Sequence, residues 1–249
     1  MSLFAIGDLH LSLGNDKPMD IFKGWENYVP RLKENWNNIV TDDDTVVIVG
    51  DISWAMFLKE AYDDFNFINN ELNGEKIILK GNHDYWFETK TKFERWLNEN
   101  NFNRIKMLYN NSYDRCGYTL CGTRGWINEP DEPADQKVLN REAGRLRLSL
   151  ADGKKSGLPI IAFLHYPPVY YINECKEIID ILDEFNIRQC YYGHIHGKGH
   201  NYAIDGVYKN IDYHLVSCDY VDFTPVKIIW FLKLYLIANF YIQMKKNML

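Results

Sequence analysis

Three of the seven histidines in the chain stand within eight positions, in the stretch GHIHGKGH at 193–200. Imidazoles at such density serve as metal ligands or as acid–base groups. Four other short stretches carry chemistry of the same kind: GDLH at 7–10, GDISW at 50–54, GNHD at 81–84 and LHYPP at 164–168. Together they offer Asp8, His10, Asp51, Asn82, His83, Asp84, His165, His194 and His196. Mixed imidazole and carboxylate donors suit Mn, Fe or Zn, and suit Ca or Mg poorly. The supply exceeds what one tetrahedral ion needs. A shared carboxylate could bridge two ions at the ~3.5–4 Å separation used for in-line phosphoryl displacement.

Something must bring these stretches together, and the residues before each one say what. LFAIGD (3–8), TVVIVGD (45–51), KIILKGN (76–82), PIIAFLHYPP (159–168) and QCYYGHIH (189–196) are apolar runs that read as buried strands ending in the polar groups. Apolar residues at helical spacing fill 21–40, 55–72, 89–99, 136–150 and 174–185. Strands alternating with helices predict a layered α/β fold, in which loops at the carboxyl ends of strands converge on one crevice. In extended backbone Asp8 and His10, like His194 and His196, would aim the same way. The glycines before them, at 7, 50, 81 and 193, permit close backbone approach. YTLCGTRGW (118–126) reads as a strand entering a loop, and NEPDEPAD (128–135) as a polar loop. Residues 201–223 read as hairpin strands around the Asp205–Gly206 turn, which points to a mixed sheet or two packed sheets.

The 249 residues carry no internal repeat, and 46% of them are hydrophobic, enough for one sizeable core. A net charge of −6 argues against nucleic acid as a partner. Five cysteines without a CxxC pair argue against a disulfide framework or a zinc ribbon. With no secretory leader visible in MSLFAIGDLH, the expected location is the cytoplasm. The expected organisation is a domain over 1–226 and an apolar, basic tail over 227–249. The run IIWFLKLYLIANFYI (228–242) is too short to cross a ~30 Å hydrocarbon core as a helix. Expected roles for the tail are packing on the domain, self-association or contact with a membrane surface.

The ordered set GDLH, GD, GNHD, H and GHIH resembles the calcineurin-like metallophosphoesterases over roughly residues 3–223. That resemblance implies a two-sheet β-sandwich flanked by helices. It implies that Asp8, His10 and His196 hold one divalent ion, that Asn82, His165 and His194 hold a second, and that Asp51 bridges the two. It makes His83 the acid or charge stabiliser near the leaving group, with Asp84 orienting it. The activity implied is hydrolysis of a phosphomonoester or phosphodiester through in-line attack by a metal-bound hydroxide, with a small organic phosphoester favoured as substrate. A phosphoprotein phosphatase shares that chemistry. A non-catalytic scaffold is the third reading, disfavoured because every ligand and His83 are present. Two features depart from the pattern: Ser53 and Trp54 follow the second GD, and His200 lies outside the motifs. Arg124, Trp126 and His200 are candidate substrate contacts. Against this, an ion pair and a core aromatic are the favoured reading of Arg124 and Trp126, and a solvated helix face or salt bridges to acidic neighbours that of Arg141, Arg145 and Arg147.

Overall fold

A computed structural model describes residues 1–126 and 136–228. Strand β1 (Leu3–Ile6) turns Leu3 and Ala5 to one face and Phe4 and Ile6 to the other. Strand β2 (Thr45–Ile48) divides Val47 from Val46 and Ile48 in the same way. Side chains on both faces of these strands are therefore buried, which explains why the runs are continuously apolar. With β3 (Glu75–Ile78) and β4 (Ile105–Met107) they form a parallel ladder in the order β1-β2-β3-β4. Three helices cover its outer face: α1 (Tyr28–Ile39), α2 (Tyr62–Asn70) and α3 (Lys90–Glu99). Leu32, Trp36, Phe65, Ile68 and Phe93 pack there on Phe4, Ile6 and Ile48.

The second sheet runs from β5 (Ser112–Arg115) through β6 (Tyr118–Thr123) and β7 (Ile160–Leu164) to β10 (Gln189–Tyr192), β12 (Ile211–Leu215) and β11 (Gly206–Tyr208). Its inner face meets the first sheet through Leu120, Ile161, Phe163 and Tyr191 against Ala5, Val47, Val49 and Leu79. Its outer face lies under α4 (Gln136–Gly153) and α5 (Lys176–Glu184). A two-stranded ribbon, β8 (Val169–Tyr170) with β9 (Asn173–Glu174), precedes α5. The architecture is the expected one, two packed mixed sheets between helical layers. Among the described residues no helix is long and apolar enough to cross a membrane.

Local departures have local causes. Helix α1 begins at Tyr28 rather than residue 21, with Pro30 in its first turn, where a missing N–H costs no intrahelical bond. The segment read as a helix from 55 starts as a 3-10 turn, Leu58–Ala61. The hairpin near the end turns at Lys209 and Asn210, with φ of 46° and 64°, and not at Asp205–Gly206. A two-residue turn with both φ values positive matches the right-handed strand twist. Strands β4 and β5 were not legible: each is three or four residues, and β5, Ser112–Arg115, has no apolar alternation.

The expected domain boundary after Val226 cuts a strand. Val226 and Lys227 form β13, antiparallel to β1, and Ile228 is buried with its N–H donated to the Leu3 carbonyl. The rest of the tail, 229–249, and the 128–135 loop lie outside the described residues, and with them the expected self-association or membrane contact.

Candidate metal centre

Five strand ends on one side of the sandwich deliver the candidate ligands: Asp8 and His10 after β1, Asp51 after β2, Asn82 after β3, His165 after β7, and His194 and His196 after β10. They converge, but not by the alternation of extended chain. Asp8, His10, Asp51 and His194 have φ of 58°, 45°, 49° and 74°, in the left-handed region. Each such residue costs about 1–2 kcal/mol. Backbone bonds past the strand ends hold the turns in place: Asp8 N–H to the Gly50 carbonyl at 2.9 Å, His10 N–H to the Asp51 carbonyl at 2.9 Å. Gly50 is required in this crowding. Its φ is +97°, and a Cβ there would sit 2.7 Å from the Gly81 backbone and 2.8 Å from His165 Nδ1.

Two groups of donors result. Asp8, His10 and His196 bring one ligand atom each within 4.8 Å of one another, and so do Asp51, His165 and His194. His10 Nε2 and His196 Nε2 are 3.3 Å apart. Asp51 Oδ2 lies between the groups, 3.8 Å from His10 Nε2 and 3.5 Å from His165 Nε2. Asn82 Oδ1 joins the second group at 2.7 Å from His165 Nε2.

The electrostatics of this arrangement follow from burial and from the neighbouring charges. His165 Nδ1 faces the Val49 carbonyl at 3.0 Å, so the ring proton belongs there. Burial pushes His165 down to about 3, which makes the ring neutral and leaves a bare lone pair on Nε2. That lone pair faces two more acceptors, Asn82 Oδ1 and Asp51 Oδ2. Burial, with Asp84 and Asp8 nearby, raises Asp51 well above the usual carboxylate range. Burial likewise holds His10 and His194 near 3. Converging lone pairs and crowded, buried carboxylates are a donor set that fits cations. His196 differs. Burial opposes its protonation, yet Asp219 and Asp8 outweigh burial and lift it to about 10. A cation among Asp8, His10 and His196 would take the place of that proton.

Asp219 was missed in the sequence. It accepts from His196 Nδ1 at 2.8 Å and from the Gly197 N–H at 2.9 Å, fixing which imidazole nitrogen faces Asp8. His200 Nε2 lies 3.3 Å from its other oxygen. His200 therefore lies beside the carboxylate behind His196, although its Nε2 makes no hydrogen bond. The carboxyl-end rule applied to β12, which runs into SCDY, would have found Asp219.

Asp84 is fully buried, but it does not orient the His83 ring. Its carboxylate accepts the N–H groups of Gly81, Ile52 and Ser53 and the Trp86 indole N–H, clamping the two loops that carry Asp51 and Asn82. The His83 N–H is donated to Asp51 Oδ1 at 2.8 Å. Its ring packs 4.5 Å from Trp54, which itself stacks on His10 at 4.8 Å and 21°. Arg124 turns its carbonyl to the N–H groups of His165 and Tyr166, while its guanidinium lies 3.5 Å from Glu142. Trp126 packs on Tyr166 at 5.3 Å.

The sequence profile of calcineurin-like phosphoesterases matches residues 1–198. The chain belongs to the calcineurin-like phosphoesterase family. Among related chains, uncharacterized protein MJ1445 of Methanocaldococcus jannaschii is 29% identical over 130 residues, 50% of this chain and 65% of that protein. The fold is similar to that of TT1561 from Thermus thermophilus, with a TM-score of 0.51 and 12% identity over 79% of this chain and 82% of that one. A protein of unknown function from Aquifex aeolicus, AQ665, aligns with a TM-score of 0.49 and 18% identity, covering 91% and 95% of the two chains. In this calcineurin-like phosphoesterase the two donor groups sit where both sheets open toward the same loops, the crevice expected of layered α/β folds.

Proposed function

We propose that this calcineurin-like phosphoesterase hydrolyses a small organic phosphoester with two divalent cations. One would lie among Asp8, His10 and His196, the other among Asn82, His165 and His194, with Asp51 shared. The observation carrying this reading is the convergence of His165 Nε2, Asn82 Oδ1 and Asp51 Oδ2 beside the group formed by Asp8, His10 and His196. Cations held there would activate a water and neutralise the phosphoryl oxygens.

The chain's own groups do the rest. Asp84 holds the loops of Asp51 and Asn82 at a fixed separation. Asp219 fixes the His196 ring. His83 is half-buried beside both groups, and burial keeps it below the ordinary histidine range. At neutral pH it therefore offers an N–H to the departing oxygen rather than a full positive charge. Trp54 and Tyr166 flank the ligand rings and limit water around them. The donor chemistry favours Mn, Fe or Zn. A net charge of −6 supports a small substrate over nucleic acid. Free cysteines at 116, 121, 175, 190 and 218 support a reducing, cytoplasmic setting.

The test is a panel of p-nitrophenyl phosphate, bis(p-nitrophenyl) phosphate, sugar phosphates, nucleotides and a phosphopeptide, each with Mn, Fe(II), Zn and Mg. The expected result is metal-dependent turnover of small esters, with about two equivalents of bound metal in the active form. Turnover that survives chelation, or two bound ions with no turnover of any ester, would sink the reading. A strong preference for the phosphopeptide would move the substrate class to phosphoproteins.

A further inference from the structure

Next to the candidate metal centre, the ends of β3 and β6 and one face of α4 enclose a cleft of about 220 Å³. Four cations line it, Lys80, Arg124, Arg141 and Arg145, against two carboxylates, Glu88 and Glu142. That balance is a net +2 (four minus two) on a chain of net −6.

The cations are arranged around one acid. Glu142 is fully buried; one oxygen accepts Thr123 Oγ1 at 2.8 Å and the other Arg145 Nη1 at 2.6 Å. The second oxygen also draws Arg124, whose Nη2 is 3.5 Å away. A single carboxylate thus holds two guanidinium groups side by side. Arg124 keeps a buried Nε–H with no hydrogen-bond partner, and an unmet buried donor costs about 1–3 kcal/mol. Lys80 lines the same cleft, its Nζ 5.7 Å from the centre of the Phe87 ring. Arg141, one turn before Arg145 on α4, has no ion-pair partner among the described residues. Clustered guanidinium groups with spare donors are the arrangement that grips a phosphoryl group through two parallel hydrogen bonds.

The cleft and the metal-ligand groups share their supports. Lys80 lies two residues before Asn82, and the Arg124 carbonyl accepts the N–H groups of His165 and Tyr166 at 3.1 and 2.8 Å. We infer that this cleft binds a second phosphoryl group of the same substrate molecule, held by Arg124, Arg141, Arg145 and Lys80 while the scissile ester lies at the metal centre. The substrate class is then a small metabolite with two phosphoryl groups, such as a sugar bisphosphate or a nucleotide phosphorylated at two positions. The inference rests on the phosphoester-hydrolase reading for its catalytic half, but its anion site is testable alone.

Two measurements on the metal-loaded full chain separate these. Inorganic phosphate is titrated by calorimetry into the wild type, Arg141→Gln and Arg145→Gln. Two binding events are expected in the wild type, one of them weakened about tenfold or more by each substitution. Arg141 is exposed and makes no ion pair among the described residues, so its variant tests the cleft without disturbing Glu142. The second measurement is kcat/KM for a set of sugar bisphosphates and bisphosphorylated nucleotides against their monophosphates. At least one bisphosphate should be preferred about tenfold, and Arg141→Gln should erase that preference. A single phosphate site untouched by both substitutions would overturn the inference, and so would turnover of monoesters with no bisphosphate preferred. Absence of all turnover with the second phosphate site intact would instead overturn the hydrolase reading and leave the anion site standing.

Discussion

At the scale of single residues, the candidate ligands owe their aim to neighbours that lie outside the motifs. Asp219 is the clearest. A carboxylate behind a ligating imidazole fixes its tautomer and raises its basicity, and removing one typically costs 10–100-fold in metal affinity. Asp219→Asn should weaken metal binding at the Asp8, His10 and His196 group by roughly that factor, leaving the second group's affinity unchanged. A metal titration resolving two sites checks this; equal loss at both would mean Asp219 acts on the whole fold. Asp51 gives a prediction of opposite sign for the metal-free protein. Burial and its neighbours Asp84 and Asp8 raise it well above the usual carboxylate range, so its charge is disfavoured there without a cation. Asp51→Asn should therefore stabilise the chelated protein at pH 7 while abolishing the stabilisation by added metal. Thermal unfolding with and without chelator reads both halves.

The elements set the limits on what can be changed. The loop after β1 is tied to α2 through Asp64, which accepts the Leu13 N–H at 2.7 Å and the Ser53 hydroxyl. Burial outweighs those bonds and lifts Asp64 to about 6. A carboxyl raised in the folded state contributes stability that is complete below its unfolded value near 3.8 and is lost as pH climbs through 6. Wild type should thus lose on the order of 2–3 kcal/mol from this group between pH 4 and 7. Asp64→Asn should flatten that part of the profile, measured by urea unfolding across the range. At the far end of the chain, β13 closes the first sheet beside β1. Ending the chain after Ile228 keeps every described contact of the candidate site, and metal content is expected to hold. Ending it after Val226 removes the Lys227 pairing with Phe4 and the buried Ile228. The loss should be about 2–4 kcal/mol, visible as a lower unfolding midpoint.

In the whole molecule, two parallel ladders place five strand ends at one edge, and the cation reading of the buried charges gathered there predicts that folding is coupled to metal. Adding manganese to the chelated chain should raise its melting temperature, by an amount that grows with free metal as mass action requires; a melting temperature indifferent to metal would contradict the cation reading. Much of this was legible in the chain. Strand runs ending in GD, GN and GH, helical spacing between them, and donors of one chemical kind identified the layers and the candidate ligands, because burial on both faces forces continuous apolar strands and polar groups must then gather at their ends. Local pattern could not reach further. The left-handed turns at Asp8, His10, Asp51 and His194 are held by bonds from neighbouring loops, and although Asp and His tolerate that conformation, residue type alone does not place it at these four positions. Asp84 reads as a partner for the adjacent His83, yet three backbone N–H groups and an indole, from loops 31 and 32 residues away and from its own turn, claim it instead. Asp219 meets His196 across 23 positions. Arg124, Arg141 and Arg145 become a cationic cleft only once Glu142 is buried between them. Residue type and period determine which groups must be buried and which must surface; which buried group meets which is decided by packing between segments far apart in the chain, where hydrogen-bond donors go to whatever acceptor the assembled fold leaves within reach.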